Sequence, residues 1–532
     1  MSLEFINKIY NFYLKLSDIK KDLINLIILV SLAFYFLPFP REGVMGRDET
    51  SYAYLIKHFL DGTFLNDYIF VAFHPLYSFL ASFIAYFNND PEIAGKILNY
   101  LLGFFLVITT YFTGKLIFSR AVGFIAALMT VTFSNLTQWV GIVQAQITYT
   151  FMLIMSQLFL ALFFHKKKLI FSILGGIFLS LAYLSRAEGM GVFAGWVLFF
   201  IVYLFKKNLD RKKVSINLCL FIISFIIVAS PYVYALRNIT GELKFTNKLL
   251  AQTKVSAIMS YGYDYERFNY GSDDLPAKTW VLLALKAYPP RIIEFFKKAP
   301  EYYNVTSLIL FIVAVCLIMF RKKDLLKLFL FSPPLYVVFI IPFFFLTPNF
   351  YHPYAPIVFI VSAYGLFELK NFIQLNFNKN LAVIFFITII ALLFYENLLH
   401  NKIKSKLASA KVSSSLDGQV ITYKAYRDFG KAIKPIIKPS DRIMARFNMG
   451  SYYAGGEYVS FPDVGWDEFL EYIKKQRIDY ILIGPAEQKL RVQITGEILY
   501  RALSDKREPL FRLVSAYEMP YNLKFYLIKV NY

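Results

Sequence analysis

The stretch GRDETSYAY, residues 46–54, sets one cation and two adjacent carboxylates, Arg47, Asp48 and Glu49, directly behind the first apolar run of the chain. Neighbouring carboxylates in such a place can take a proton from an attacking hydroxyl, hold a divalent cation, or cap a helix. The last reading has local support, because Tyr52, Leu55 and Phe59 would fall on one helical face behind Thr50. Three further stretches carry matching chemistry. In AFHPLYSFL (72–80), His74 reads as a hydrogen-bond partner in a wet pocket, or as the start of an interfacial helix with Pro75 in its first turn. In YLSRAEGMG (183–191), Arg186 has the planar fork that grips a phosphate, and its alternatives are a lipid headgroup or an ion pair with Glu188. In NFYHPYAP (349–356), Tyr351 and His352 stand at another end of an apolar run, with His352 as a second candidate cation.

What positions these groups is a membrane. The chain has 532 residues, 57% of them hydrophobic and 19% aromatic, and a soluble domain of that composition would leave far too much apolar surface in water. Apolar runs long enough to span, or nearly so, occur at about 23–40, 93–117, 121–139, 146–164, 169–185, 190–205, 214–236, 305–320, 325–346, 353–369 and 380–397. The net charge of +21 sits in short clusters between them: HKKK (165–168), KKNLDRKK (206–213) and RKK (321–323). That is the pattern of cytoplasmic loops, not of a nucleic-acid face. With the N-terminus and Lys20, Lys21 inside, and the short segment 70–87 left out of the span count, Lys115, Arg120, Lys370 and all three clusters fall inside. Counting 70–87 as a span would move every one of them outside, so this segment reads as an interfacial or partly embedded helix. The loops bearing Arg47, Asp48, Glu49, His74, Arg186, Glu188, Tyr351 and His352 then share the outer side. The two cysteines, Cys219 and Cys316, each lie in an apolar run and make neither a disulfide framework nor a zinc motif. No cleavable signal peptide is expected from the mixed first twenty residues.

Two outer segments are long. Residues 237–304 are rich in Tyr, Asn and charge and read as a lid over a cavity or as an amphipathic segment on the membrane. The tail opens on a polar linker, NKIKSKLASAKVSSS, and then reads as an α/β domain. RIMA is a strand, YYAGGEY a turn, WDEFLEYIKKQR a helix and DYILIGP a strand, and FRLVSAYE and LKFYLIKV are late strands. The fold class expected is a polytopic α-helical membrane protein of about 11 transmembrane helices with a C-terminal extracytoplasmic α/β domain, the boundary falling at residues 400/401.

The ordered set of motifs resembles the GT-C membrane glycosyltransferases, and within them the dolichyl-phosphate-mannose protein mannosyltransferases and the bacterial aminoarabinose transferases that modify lipid A. The resemblance runs through the DE loop, HPLY, residues 96–129, GGIFLSLAYLSRAEGMGVF (175–193) and the YHPYAPIVF run, most of residues 20–370. It implies an acidic catalytic residue in the first outer loop at Asp48, with Glu49 beside it. It maps an HPP-type motif onto His74 and Pro75, with Leu76 where the second proline usually stands. Where the family often carries a further acid before the fourth span, this chain reads GIVQAQITYTF, with Gln144 and Gln146. An amide is no base and a poor ligand for a hard cation, so no cofactor is required here and a divalent cation is left as one reading only. The activity implied is inverting transfer of a hexosyl or pentosyl sugar from a polyprenyl-phosphate donor to an acceptor hydroxyl, with Asp48 as general base. Arg47, His74, Arg186, Glu188, Tyr351 and His352 bind substrate, with Arg237 and Lys248 as reserve cations. The partners implied are a lipid-linked sugar donor, a glycolipid, protein or polysaccharide acceptor, and membrane lipids. The place implied is the cytoplasmic membrane with the site facing outward. The rival reading, a secondary transporter or lipid-carrier flippase, would favour paired half-sequences with Gly- or Pro-broken spans, which are not evident.

Overall fold

The computed structural model describes residues 15–532 apart from 44, 67, 206–209, 247–276, 322–324, 345–347, 411–414, 463, 491, 504–509 and 520–522. Lys248 and the rest of residues 247–276, the middle of the 237–304 segment, therefore lie outside the described residues. The chain divides into two compact units. One includes Thr63–Leu249 and Tyr288–Lys404, and the other includes Glu42–Gly62 and Ser405–Tyr532.

In chain order the main helices outside the C-terminal domain are α1 (Asp18–Phe36), α2 (Arg47–Leu60), α3 (Leu76–Asn88), α4 (Pro91–Ile117), α5 (Arg120–Thr132), α6 (Gln146–Lys166), α7 (Leu169–Ser185), α8 (Glu188–Leu204), α9 (Arg211–Thr240), α10 (Ala277–Tyr303), α11 (Val305–Arg321), α12 (Leu325–Phe344), α13 (Ala355–Asn376) and α14 (Lys379–Ala410); α2, α10 up to Ala287 and α14 from Ser405 belong to the second unit. Among the described residues, five helices are long and apolar enough to cross a membrane: Pro91–Ile117, Gln146–Lys166, Arg211–Thr240, His352–Asn376 and Lys379–Asn397. Counting each of two bent pairs as one span raises this to seven, and Leu76–Asn88, Leu169–Ser185, Glu188–Leu204 and Leu330–Pro342 are shorter apolar helices. The segment left out of the span count forms α3, a helix of 13 residues. At 1.5 Å per residue it covers about 20 Å, well short of a hydrocarbon core.

Lipid tails give apolar helices no reason to prefer one another, so close backbone approach and interhelical hydrogen bonds must hold the bundle. Helix α7 packs on α6 and α9. A Cβ on Gly176 would lie 2.5 Å from the Phe221 carbonyl oxygen, so only glycine allows the α7–α9 crossing. Around it, Ser172 Oγ donates to Asn217 O at 2.8 Å, Ser156 Oγ to Gly175 O at 2.8 Å and Gln157 Nε2 to Leu330 O at 2.7 Å.

The second unit is built on a five-stranded sheet of β1 (Arg442–Ala445), β2 (Glu457–Ser460), β3 (Tyr480–Ile483), β4 (Phe511–Met519) and β5 (Leu523–Val530), ordered β2-β1-β3-β5-β4. Strand β1 pairs in parallel with β2 and β3, and β5 runs antiparallel to both β3 and β4. Alternation sends Ile443, Ala445 and Leu482 into one core with Tyr426, Phe429 and Met449. Met444, Ile481 and Ile483 enter the other with Phe469, Ile473 and Ile498. Helices α15 (Ser415–Ile433) and α16 (Asn448–Ala454) thus supply one layer, and α17 (Trp466–Gln476) and α19 (Val492–Leu503) the opposite one, with the short α18 (Pro485–Leu490) between.

Candidate functional site

Helix α2, which carries the two carboxylates, starts at Gly46 in extended conformation. Glu49 Oε1 accepts the Gly46 N–H at 3.0 Å and Thr50 Oγ1 donates to Gly46 O at 2.9 Å, so Glu49 is the capping carboxylate. Asp48, one residue earlier, is exposed and accepts no hydrogen bond among the described residues. Arg47 is half-buried, and its carbonyl accepts from Ser51 Oγ at 3.2 Å and Asn448 Nδ2 at 3.4 Å. Burial first, then the Asp48 charge, raises the Tyr423 phenol above its ordinary value, with Arg47 opposing. The helix does not bury a single stripe: every residue from Thr50 to Ile56 is buried, and Phe59 is only partly so. Residues from the far end of the sequence enclose it, which is why the one-face reading was too narrow.

In the first unit, α7 ends on Arg186 and α8 begins at Glu188. Arg186 Nη2 and Nε lie 2.6 and 3.1 Å from Glu188 Oε1, and the guanidinium stands 5.0 Å from the Phe350 ring centre. The tight turn needs Gly189, where a Cβ would meet the Tyr183 backbone nitrogen at 2.5 Å. Close by, Tyr149 and Tyr354 share a 2.7 Å hydroxyl contact within the field of Arg186 and Glu188. The 350–354 turn and the SRAE turn are therefore brought together. His352 is buried and its Nδ1 accepts from Trp139 Nε1 at 3.1 Å. Tyr351 is fully buried, stacked on Tyr302 at 4.6 Å. His74 packs against Tyr183 and Tyr232, with ring centres 5.5 and 5.3 Å away. Arg237 is exposed at the end of α9.

Two features near this end were missed in the sequence. Asn99 Nδ2 donates to Ile142 O at 2.7 Å and Gln144 O at 3.0 Å, pinning the loop between α5 and α6. Glu92 and Lys96 form a buried pair at 2.5 Å, with Lys96 also donating to Arg41 O at 3.0 Å. The signal for the pair was present as a Glu–Lys spacing of four in PEIAGK. At the position of the departed acid, Gln146 Nε2 donates to Gln144 Oε1 at 2.7 Å, so both amides are engaged with each other. Among the described residues no group of three or more His, Cys, Asp or Glu is placed to hold a metal ion. The paired amides of Gln144 and Gln146 do not fit a multi-carboxylate cation site.

Residues 74–234 match the family described as dolichyl-phosphate-mannose-protein mannosyltransferase. Among solved structures, the chain is similar to the archaeal oligosaccharyltransferase AglB from Archaeoglobus fulgidus, in complex with an inhibitory peptide and a dolichol-phosphate. That likeness has 12% identity and a TM-score of 0.57 over 96% of this chain and 74% of the other. It is also similar to ArnT from Cupriavidus metallidurans in the apo state, at 9% identity and TM-score 0.58 over 95% and 97% of the two chains. ArnT bound to undecaprenyl phosphate matches at 11% identity and TM-score 0.55 over 96% and 98%. No curated protein sequence matches the chain. The chain thus shares its fold with AglB and ArnT, and residues 74–234 match the family model.

Proposed function

We propose that the protein is an inverting glycosyltransferase of the cytoplasmic membrane that moves a hexosyl or pentosyl sugar from a polyprenyl-phosphate carrier to an acceptor hydroxyl on the outer face. The observation that carries the reading is the near full-length likeness to ArnT in its undecaprenyl-phosphate complex. In the reaction the acceptor oxygen bonds to the anomeric carbon, the bond from that carbon to the phosphate oxygen breaks, and the hydroxyl proton goes to Asp48. Polyprenyl phosphate leaves with the bonding electrons, and a cation must steady the charge it gains. Asp48 suits the base because it is exposed while Glu49 is occupied in the cap. Arg186 suits the cation because Glu188 and Phe350 fix its fork. His74, Tyr351 and His352 shape the apolar surroundings of the carrier head, and the acceptor is a glycolipid, a protein or a polysaccharide.

The test is release of polyprenyl phosphate in nanodiscs from a labelled lipid-linked sugar pool with an envelope extract as acceptor, with and without chelator. Asp48→Asn is expected to slow release by roughly 10²–10⁴-fold, the usual worth of a positioned base. Release at the wild-type rate in Asp48→Asn would move the base elsewhere. Folded protein that releases nothing from any pool would favour a transporter or flippase.

A further inference from the structure

The contacts of the second unit give it a specific task. In a parallel sheet, the crevice outside the carboxyl ends of the strands opens where the strand order reverses. Here the chain runs from β1 to β2 on one side and then to β3 on the other, so the reversal lies between β1 and β3. Arg446, Phe447 and Asn448 follow β1, and Gly484 to Glu487 follow β3.

That edge is tied from below and from above. From below, Glu487, fully buried, accepts from the Arg446 N–H at 2.6 Å, the Gly484 N–H at 2.9 Å and the Tyr426 hydroxyl at 2.6 Å. These bonds fix the backbone two residues before Asn448. From above, Asn448, itself 3% exposed, donates through Nδ2 to Ser51 Oγ at 2.8 Å and, at 3.4 Å, to the carbonyl of Arg47. Arg47 is the residue that precedes Asp48. The helix is held further along by Tyr54, whose hydroxyl donates to Gly456 O at 3.1 Å and whose ring meets that of Tyr452 at 5.2 Å. Tyr54 fixes the body of α2, whereas Asn448 acts on its first turn, the turn that carries Asp48.

We propose that Asn448 is a positioning residue for Asp48: from the end of β1 it locks the first turn of α2, so the C-terminal unit sets where the proposed base stands. The inference rests on the glycosyltransferase reading above and assigns no contact of Asn448 with substrate. Arg47, Asp48 and Glu49 all lie close enough to act on the Tyr423 phenol.

The test uses the full chain in nanodiscs with three variants. Asn448→Ala removes the donor, Ser51→Ala removes the receiving hydroxyl with a smaller loss of packing, and Asn448→Asp replaces the donor with a carboxylate. Asn448→Ala and Ser51→Ala are expected to lower kcat by about ten- to a hundred-fold, the scale of a misplaced catalytic group, with donor KM unchanged. Amide exchange over residues 47–52 is expected to speed up while exchange in β1 and β3 holds. Asn448→Asp keeps the side-chain size but loses the Nδ2 donor, and is expected to lower kcat as Asn448→Ala does. Wild-type kcat in both alanine variants, or exchange at 47–52 that does not change, overturns the inference. So does a fall in kcat that only tracks the folded fraction. If Asp48→Asn keeps turnover, the base assignment itself falls; if it abolishes turnover while Asn448→Ala keeps it, only the positioning role falls.

Discussion

Glu49 reaches back 3.0 Å to the Gly46 N–H, whereas Asp48 stands exposed one position earlier on the same turn. An amide oxygen can accept that N–H as well as a carboxylate can, so Glu49→Gln is expected to keep both the helix start and sugar transfer. Glu49→Ala loses the cap, at about 1 kcal/mol, and is expected to lower the thermal stability of the variant while sparing most of kcat. Opposite results, with Glu49→Gln inactive, would make Glu49 the working carboxylate. The sequence offers no means of separating the two acids, because a capping box is recognised by a Ser or Thr at its start and Gly46 has no side chain to reveal it. The pairing at 186–188 was more legible: an Arg–Glu pair stood among the sequence alternatives, and the 2.6 Å contact realises it. Both side chains are largely buried. Removing one partner alone leaves a charge without its counter-ion, so Glu188→Ala is expected to cost about 3 kcal/mol or more. Arg186→Lys keeps the charge but loses the fork, and is expected to raise the donor KM with little change in the melting temperature.

At the scale of elements, the α7–α8 turn is one of the tightest backbone approaches of the first unit. An alanine at 189 would push its Cβ within 2.5 Å of the Tyr183 nitrogen and 2.6 Å of its Cα, backbone atoms that cannot swing away. Gly189→Ala is therefore expected to cost about 1–3 kcal/mol and to weaken donor binding, because Arg186 and Glu188 flank the same turn. A melting curve and a donor titration on one preparation check both, and wild-type values for each would show that the turn has slack. Elements with a plain period were legible: RIMA is β1, DYILIGP holds β3, and the two late strands are β4 and β5. YYAGGEY was read as a turn, but α16 runs through Tyr452 and Tyr453 to Ala454 and stops where Gly455 takes φ +86°, after which Glu457–Ser460 is β2. A seven-residue helix has too few turns to show a period. The polar stretch after residue 400 was read as a linker, yet 401–410 continue α14. Lys and Ala in that stretch are good helix formers, and propensity outran polarity.

Taken whole, the molecule divides into two units of different chemistry, so its unfolding is not expected to be two-state. The first is held by helix packing in an apolar solvent, the second by a sheet with two cores, and solution conditions act on them differently. Glu487 gives the second unit a pH signature. Burial raises its carboxyl above the ordinary glutamate value, even though Tyr426, Arg446 and Gly484 donate to it and pull the other way. The folded state then holds a proton that the unfolded chain releases sooner. Its contribution to stability is fully present below the unfolded-state value and is lost as pH rises through the raised folded one. Unfolding of the full chain, followed by amide exchange in β1 and β3 across that range, is expected to show these strands loosening as pH rises. Exchange in α6 and α7 is expected to stay level. Glu487→Gln cannot ionise, so it should flatten the slope, at a lower stability overall because one of its acceptor oxygens becomes a donor facing the Arg446 N–H or the Tyr426 hydroxyl. A slope that persists unchanged in Glu487→Gln would assign it to another group. A slope shared equally by α6 and α7 would mean that the two units unfold as one.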